Sequence, residues 1–432
     1  MKNAKKGFTL VELLVVIAML AILATVTVVG LTGCIEEAKL SVDMQGVEQM
    51  NTALEAASVT GAPKNFKEFD EILTGAGFNT EEGIRSLVDG YAIYWYKTHN
   101  VVVLAKDDGT LEGPGYEANM AADFAKDFAS KNNIYDLAMC GSKFYVGDAP
   151  VGSLQEAFNI GGKINLASDI EIDTMVNVSK DTELNLNGYS ITSTITSGRA
   201  FNVVGNVKFT LNAEDSEVTF GAYGLIAIKG SNQEAITANV VINGGSFEGE
   251  MDNGAFVKVV NDANATVILN NVTYKDNTNL GCTTDVGTDV SYISDLNKGR
   301  NCVLDIQVNG GKYDADCGFL ASSGSFENVT INARGFGIYS VSASIEGCHI
   351  TTTNIHDVAG NTPAAAIAVS GAGTITVNDS VLNAGEDGDA TALYSGKLIE
   401  ITNSTITGSH CTYDDSEASV TVDGVAQELV RR

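Results

Sequence analysis

Apolar positions change period three times along the chain. From Leu13 to Leu31 there is no charge, and only Thr25, Thr27 and Gly30 interrupt the apolar series. As a helix this run is about 28 Å long, close to the thickness of a bilayer core. Lys2, Lys5 and Lys6 precede it, which predicts a cytoplasmic N-terminus and a transmembrane segment over about 13–31. Past Cys34 the helical period continues. Val47, Met50, Leu54 and Ala57 fall on one face, and Glu36, Glu37, Lys39, Asp43, Glu48 and Glu55 lie between them. Gly61 and Pro63 then stop it, so one stem helix is expected within 8–61. One residue disturbs the pattern. Glu12 stands directly before the apolar run, where a carboxylate is costly and normally has a partner.

Residues 62–112 read as a small α/β head. "NFKEFDEIL" and "TEEGIRSLV" carry short helical patterns. "YAIYWYK" and "VVVLA" read as strands around a Thr98-His99-Asn100 turn, and Asp107-Asp108-Gly109 is the next turn. Trp95 and its tyrosine neighbours are expected in the sheet and core. "GPG" at 113–115 marks a boundary, and 113–150 reads as a connector with a helix inside 116–133.

From Val151 to about residue 425 the period becomes two, broken by polar corners. The units are "VVINGGSF", "VILNNVTY", "IQVNGGKY", "ASIEGCHI", "ITVNDSVL" and "IEITNSTI", with corners starting at Asn243, Asn270, Asn309, Glu346, Asn378 and Asn403. No single unit can bury its apolar face, so stacking must do it. Asn and Gly suit the corners because they tolerate left-handed backbone angles. About ten coils at roughly 4.8 Å each would form a rod on the order of 50 Å long; a β-sandwich is the alternative architecture. The interval from Asn270 to Asn309 is longer than its neighbour, so an insertion should leave the solenoid between Tyr274 and Asn309.

Composition narrows function. The 432 residues carry 26 Lys and Arg against 54 Asp and Glu, a net charge of −28. No basic stripe exists for a phosphate backbone, which argues against nucleic-acid partners. The acidic spots "GEDGDA" and "TYDDSE" lack the spacing of an EF-hand. Asp387 and Asp389 read as a solvated turn, and His356 and His410 as exposed loop residues. No catalytic set, metal site or cofactor is therefore expected. Besides Cys34 there are six cysteines: Cys140, Cys282, Cys302, Cys317, Cys348 and Cys411. They allow 15 pairings. Cys282 and Cys302 bracket the insertion, so a disulfide between them could staple it, with two free thiols as the alternative. Tyr292, near the middle of the insertion, is the expected ligand contact there, because an aromatic face suits a sugar or a protein.

Two resemblances bear on these elements. "KKGFTLVE" resembles the prepilin leader of type IV pilins and type II secretion pseudopilins. That likeness implies a leader of residues 1–7, cleavage after Gly7 by a prepilin peptidase, N-methylation of Phe8, and an assembly role for Glu12. A cationic amine on a neighbouring subunit's Phe8 would be the partner Glu12 needs, setting the register between subunits. "LTGC" matches a lipoprotein lipobox ending at Cys34, but the helical pattern runs on past it. "SLQEAFNIGGKINLASDIEID" and "DTELNLNGYSITS" resemble the entry of pectate-lyase-like right-handed parallel β-helices, where a short amphipathic helix caps the first rung. The expected fold is a pilin-like α+β part, with stem helix and small antiparallel sheet, followed by an all-β right-handed parallel β-helix. The expected function is that of a structural subunit, a minor or tip pilin displaying its β-helix for adhesion, and not that of an enzyme. The alternatives are a pseudopilin, a surface-anchored polysaccharide lyase or hydrolase, and a lipoprotein. Expected partners are the peptidase, other pilin subunits, the membrane, and a glycan or protein surface ligand. The precursor would sit in the bacterial cytoplasmic membrane and the product at the cell surface.

Overall fold

The computed structural model describes residues 10–431 except 60, 114–115, 222–223, 231–235, 250–254, 261–262, 277–283, 289–302, 316, 354–364, 370–372, 385–390, 396–397 and 413–417. Within its helices and strands, the side chains at 10–12, 22–31, 260, 284–288, 369, 391–392, 394–395, 409–412 and 430–431 also lie outside the description. The chain forms two compact units: Met1–Ser142 with Asp148–Pro150, and Lys143–Gly147 with Val151–Arg432.

In the first unit, α1 runs from Leu10 to Ala57. Asp43, Val47, Met50 and Leu54 are its buried face, at the three- and four-residue spacing expected of an amphipathic helix. Leu13, Leu14, Ile17, Met19 and Leu20 are exposed. Among the described residues no helix is long and apolar enough to cross a membrane. Much of the expected 13–31 span, residues 22–31, has side chains outside the description. Helix α2, Phe66–Gly75, starts at Asn65, whose Oδ1 accepts from Glu68 N at 2.9 Å, while Glu68 accepts from Lys64 N at 2.8 Å. This reciprocal capping fixes the start of α2 where the pattern places it.

Strands β1 (Tyr91–Tyr96), β2 (Val101–Lys106), β3 (Leu111–Glu112) and β4 (Ile134–Asp136) form an antiparallel sheet in the order β3-β2-β1-β4. Alternation along β1 covers both faces. Trp95 stacks on Phe69 at 4.6 Å and on Tyr135 at 5.4 Å. Tyr94 and Tyr96 instead meet Phe128 and Phe124 of α3, Ala118–Ser130. The stretch 113–150, expected as a connector, therefore supplies both α3 and β4 to this sheet. Residues 80–88 correct a second expectation, because "TEEGIRSLV" is not helical. Its backbone donors are used elsewhere: Leu87 N donates to Asp43 at 2.9 Å and Ile84 N to the Leu137 carbonyl at 2.8 Å. Gly83, at φ +75°, faces the Ala138 carbonyl so closely that a Cβ would collide with it. Tertiary bonds thus override a weak helical period.

Strand β3 is too short to cover the open edge of β2. Asn51 of α1 does so instead: its Nδ2 donates to the Val102 carbonyl at 2.9 Å and its Oδ1 accepts from Val102 N at 2.7 Å. The side chain reproduces a backbone pairing. Asn51→Ala should strand two backbone groups at a fully buried residue and destabilise this unit by about 2 kcal/mol. Urea titration followed by the emission of Trp95, the single tryptophan, checks this.

In the second unit a short helix, Leu154–Ile160, is capped by Ser153 and buries Leu154, Ala157 and Phe158. Phe158 packs on Phe201 and Phe209, 5.7 Å from each. Beyond it the strands form three parallel ladders. One joins Ile236–Asn243 to Ala263–Asn270, then to Val303–Asn309. The second joins Ser246–Gly249 to Thr273–Asp276, then to Lys312–Ala315. The third joins Ile226–Lys229 to Val257–Val260, then to Thr284–Thr288. Each pass of the chain visits all three, and this arrangement of parallel sheets fits a parallel β-helix. Inward Val, Ile, Leu and Phe form one continuous core from Val151 to Val420. Antiparallel pairs lie at both ends of the unit: Phe144–Val146 lies on Gly162–Leu166, and Ser419–Val422 on Val425–Ala426. These pairs cover part of the strand edge at each end.

The corners refine the expected pattern by one residue. Asn243, Asn270, Asn309 and Asn378 end their strands, and Glu346 occupies the same place. The left-handed residue is the next one: Gly244, Asn271, Gly310, Asp379 and Gly347. Asn403 is itself left-handed, so it aligns with these followers. The strand-end asparagines have a different task. Asn212, Asn243, Asn270 and Asn309 each donate from Nδ2 to the Oδ1 of the preceding coil, at 2.7–2.8 Å. Such an amide ladder locks coil to coil in register.

Candidate functional site

Most of the site residues expected from the sequence are not positioned by the structure. Gly7 and Phe8 lie outside the described residues, as do Cys282, Cys302, Tyr292, His356, Asp387 and Asp389. Glu12 falls in the first turn of α1, with its side chain outside the description; the side chains of His410 and Cys411 share that status. Cys34 is exposed on α1. Cys140, Cys317 and Cys348 are buried. Burial, and then the neighbouring Asp70 carboxylate, push the Cys140 thiol well above its ordinary pKa, and burial also raises that of Cys348. Both shifts favour the protonated thiol, the less nucleophilic form. Among the described residues no group of three or more His, Cys, Asp or Glu could hold a metal ion.

A feature the sequence reading missed lies on the first ladder, on the side away from the core. The amide ladder stops at Asn309, and the next two coils place Glu327 and Glu346 in that column. Beside them the outward side chains become short. Ser323 and Ser325, then Ser342 and Ser344, then Thr374 and Thr376 fall in register on three successive coils. Together with Asp305 and Gln307 they line a groove of about 300 Å³. Ser323 Oγ donates to Asp305 Oδ1 at 2.7 Å. Ser325, Ser342, Ser344, Thr374 and Thr376 make no side-chain hydrogen bond among the described residues. The depression exists because serine and threonine replace longer residues at positions that must still alternate in a strand. Its signal is present in the sequence as the repeated strings "SGSFE" and "SASIE" followed by "TITVN".

Comparisons with known proteins bear on the N-terminal helix. A family model described as the prokaryotic N-terminal methylation motif matches residues 2–28. Two sequences of the type IV major fimbrial protein FimA of Dichelobacter nodosus are similar to this chain. One is 36% identical over 75 residues, which is 17% of this chain and 44% of the relative. The other is 36% identical over 84 residues, 19% of this chain and 51% of the relative. The chain thus spans about half the length of the curated relatives it matches. No solved structure matches it. The chain therefore carries a type IV prepilin-like N-terminal methylation motif and a partial similarity to a type IV fimbrial protein.

Proposed function

We propose that this chain is a type IV pilin-like structural subunit, a minor or tip pilin that displays a right-handed parallel β-helix for adhesion. The observation that carries the reading is the methylation motif over 2–28 running directly into a single helix, Leu10–Ala57. In this reading a prepilin peptidase cuts after Gly7, Phe8 is N-methylated, and the apolar run 13–31 anchors the precursor in the cytoplasmic membrane. Glu12 then pairs with the amine of a neighbouring subunit as the helix leaves the membrane for the filament. Right-handed crossovers are the rule for parallel strands in one sheet, which supports that hand for the coils. The large β unit is bulky for a subunit repeated along a filament, which favours a tip or minor position over the major one. A pseudopilin role is the second reading, favoured by the same motif but not by the size of the β unit. In this reading the β unit acts by binding and not by catalysis: its acidic residues are scattered along the sequence, and burial raises the pKa of its Cys348 thiol.

Deleting the gene in its host tests this. Filaments should still form, surface attachment should fall severalfold, and a tagged copy should appear in the sheared filament fraction. A copy that never leaves the cell body, or attachment unchanged by the deletion, would contradict the reading.

A further inference from the structure

The first unit contains a cleft of about 750 Å³ between α1 and the edge of the small sheet. Strand β3 pairs with only Leu104 and Ala105 of β2, which leaves room between that edge and the helix. The lining has two characters. Met44, Leu104, Tyr116 and Met120 make it largely apolar, and burial raises the pKa of the Tyr116 hydroxyl. Gln45 and Glu48, three residues apart on α1, add polar groups. Neither side chain makes a hydrogen bond or ion pair among the described residues. The other carboxylate of the cleft, Glu112, is already paired with Lys106 at 3.3 Å. Glu48 is therefore the one uncompensated charge among the described lining residues. A cleft of this size, apolar with a few polar groups, has the character of a small-molecule site. Glu48 repels an anion, and a neutral ligand gains nothing from it. A cation with an apolar body uses the whole lining: the carboxylate attracts its charge, and the tyrosine ring and methionine sulfurs are soft partners for the rest.

We propose that this cleft binds a small organic cation, an amine or quaternary ammonium with an apolar body, its charge set against Glu48 and its body against Leu104, Tyr116 and Met120. The proposal is independent of the adhesive reading, because it concerns the first unit alone. Glu48 is exposed and screened by water, so binding is weak and the assay must detect weak complexes.

Carbon-13 NMR of the methionine methyls, on full-length protein in a neutral detergent, reads the cleft directly. Met44→Leu and Met120→Leu assign the two methyls that line it. Benzyltrimethylammonium should shift both saturably at millimolar concentration. Benzyl alcohol should bind more weakly, and phenylacetate should not bind. Glu48→Gln should weaken the cation about two- to fivefold, the worth of one exposed ion pair, and leave benzyl alcohol unchanged. Glu48→Lys should abolish binding of the cation. Glu55→Gln removes the same charge from another exposed position of α1 and should change nothing. Both positions are exposed, so these variants leave the core intact. No shift with the cation, an equal response to all three probes, or undiminished binding to Glu48→Gln overturns the assignment. Methyl shifts that grow with protein concentration in the absence of any probe also overturn it, and mark the cleft as a contact between copies of this chain. None of these results bears on cleavage after Gly7 or on incorporation into filaments, so the pilin reading is tested separately.

Discussion

Glu12→Ala chains should be cleaved normally yet be depleted at least tenfold from sheared filaments. The expectation follows from where the carboxylate sits. Residue 12 lies in the first turn of α1, directly before an uncharged run that extends to Leu31. A carboxylate in apolar surroundings costs a few kcal/mol unless it is paired. In the proposed assembly its partner is the amine of a neighbouring subunit's Phe8. Removing one member of a desolvated pair leaves the other charge uncompensated, at about 3–5 kcal/mol. That exceeds the 1.4 kcal/mol that corresponds to tenfold in an equilibrium. Cleavage should be spared because the scissile bond lies five residues away and the leader lysines are untouched. Immunoblots of cell-bound and sheared fractions, with both versions expressed together, provide the comparison. Equal incorporation of the two would remove Glu12 from assembly.

The largest effect on stability is expected from Trp95→Ala. Trp95 is fully buried and is held on both sides, stacked on Phe69 and Tyr135, with Phe66 at 6.4 Å. Its indole N–H donates to Asn100 Oδ1 at 3.2 Å, which ties the core to the turn between β1 and β2. Truncating such a residue costs about 3–5 kcal/mol, because the transfer energy is lost and the cavity only partly closes. Hydrogen exchange at the β2 amides Val102–Ala105 should speed up about a hundredfold or more. The amides of Val240–Ile242 in the other unit should be unaffected, because the lost contacts are confined to the first unit. Unchanged protection in β2 would show that the aromatic stack does not hold the sheet together.

Much of this architecture was legible in the sequence because long periodic segments speak for themselves. The buried residues Val47, Met50 and Leu54 follow directly from helical spacing, and the β1–β2 hairpin from two apolar runs around a short turn. The repeated units after Val151 announced stacked strands for the same reason. What escaped reading depends on contacts between distant residues. Residues 80–88 look weakly helical, but Asp43, more than forty positions earlier, captures the Leu87 amide. Strand β4 is only three residues long and is defined by pairing with β1, which no local pattern reveals. At the corners, composition pointed to Asn and Gly correctly. It could not say that the strand-end Asn serves the amide ladder while the next residue takes the left-handed angle. The groove was hidden because serine in a strand reads as merely polar, and its meaning appears only when three coils lie side by side.

A pilin-like subunit must be matured as a prepilin. Mass spectrometry of the N-terminal peptide from the protein made in its host answers this directly. The predicted result is a chain that begins at Phe8 and carries a methyl group on its α-amine. An N-terminus retaining residues 1–7, or a lipidated N-terminal Cys34, would contradict it.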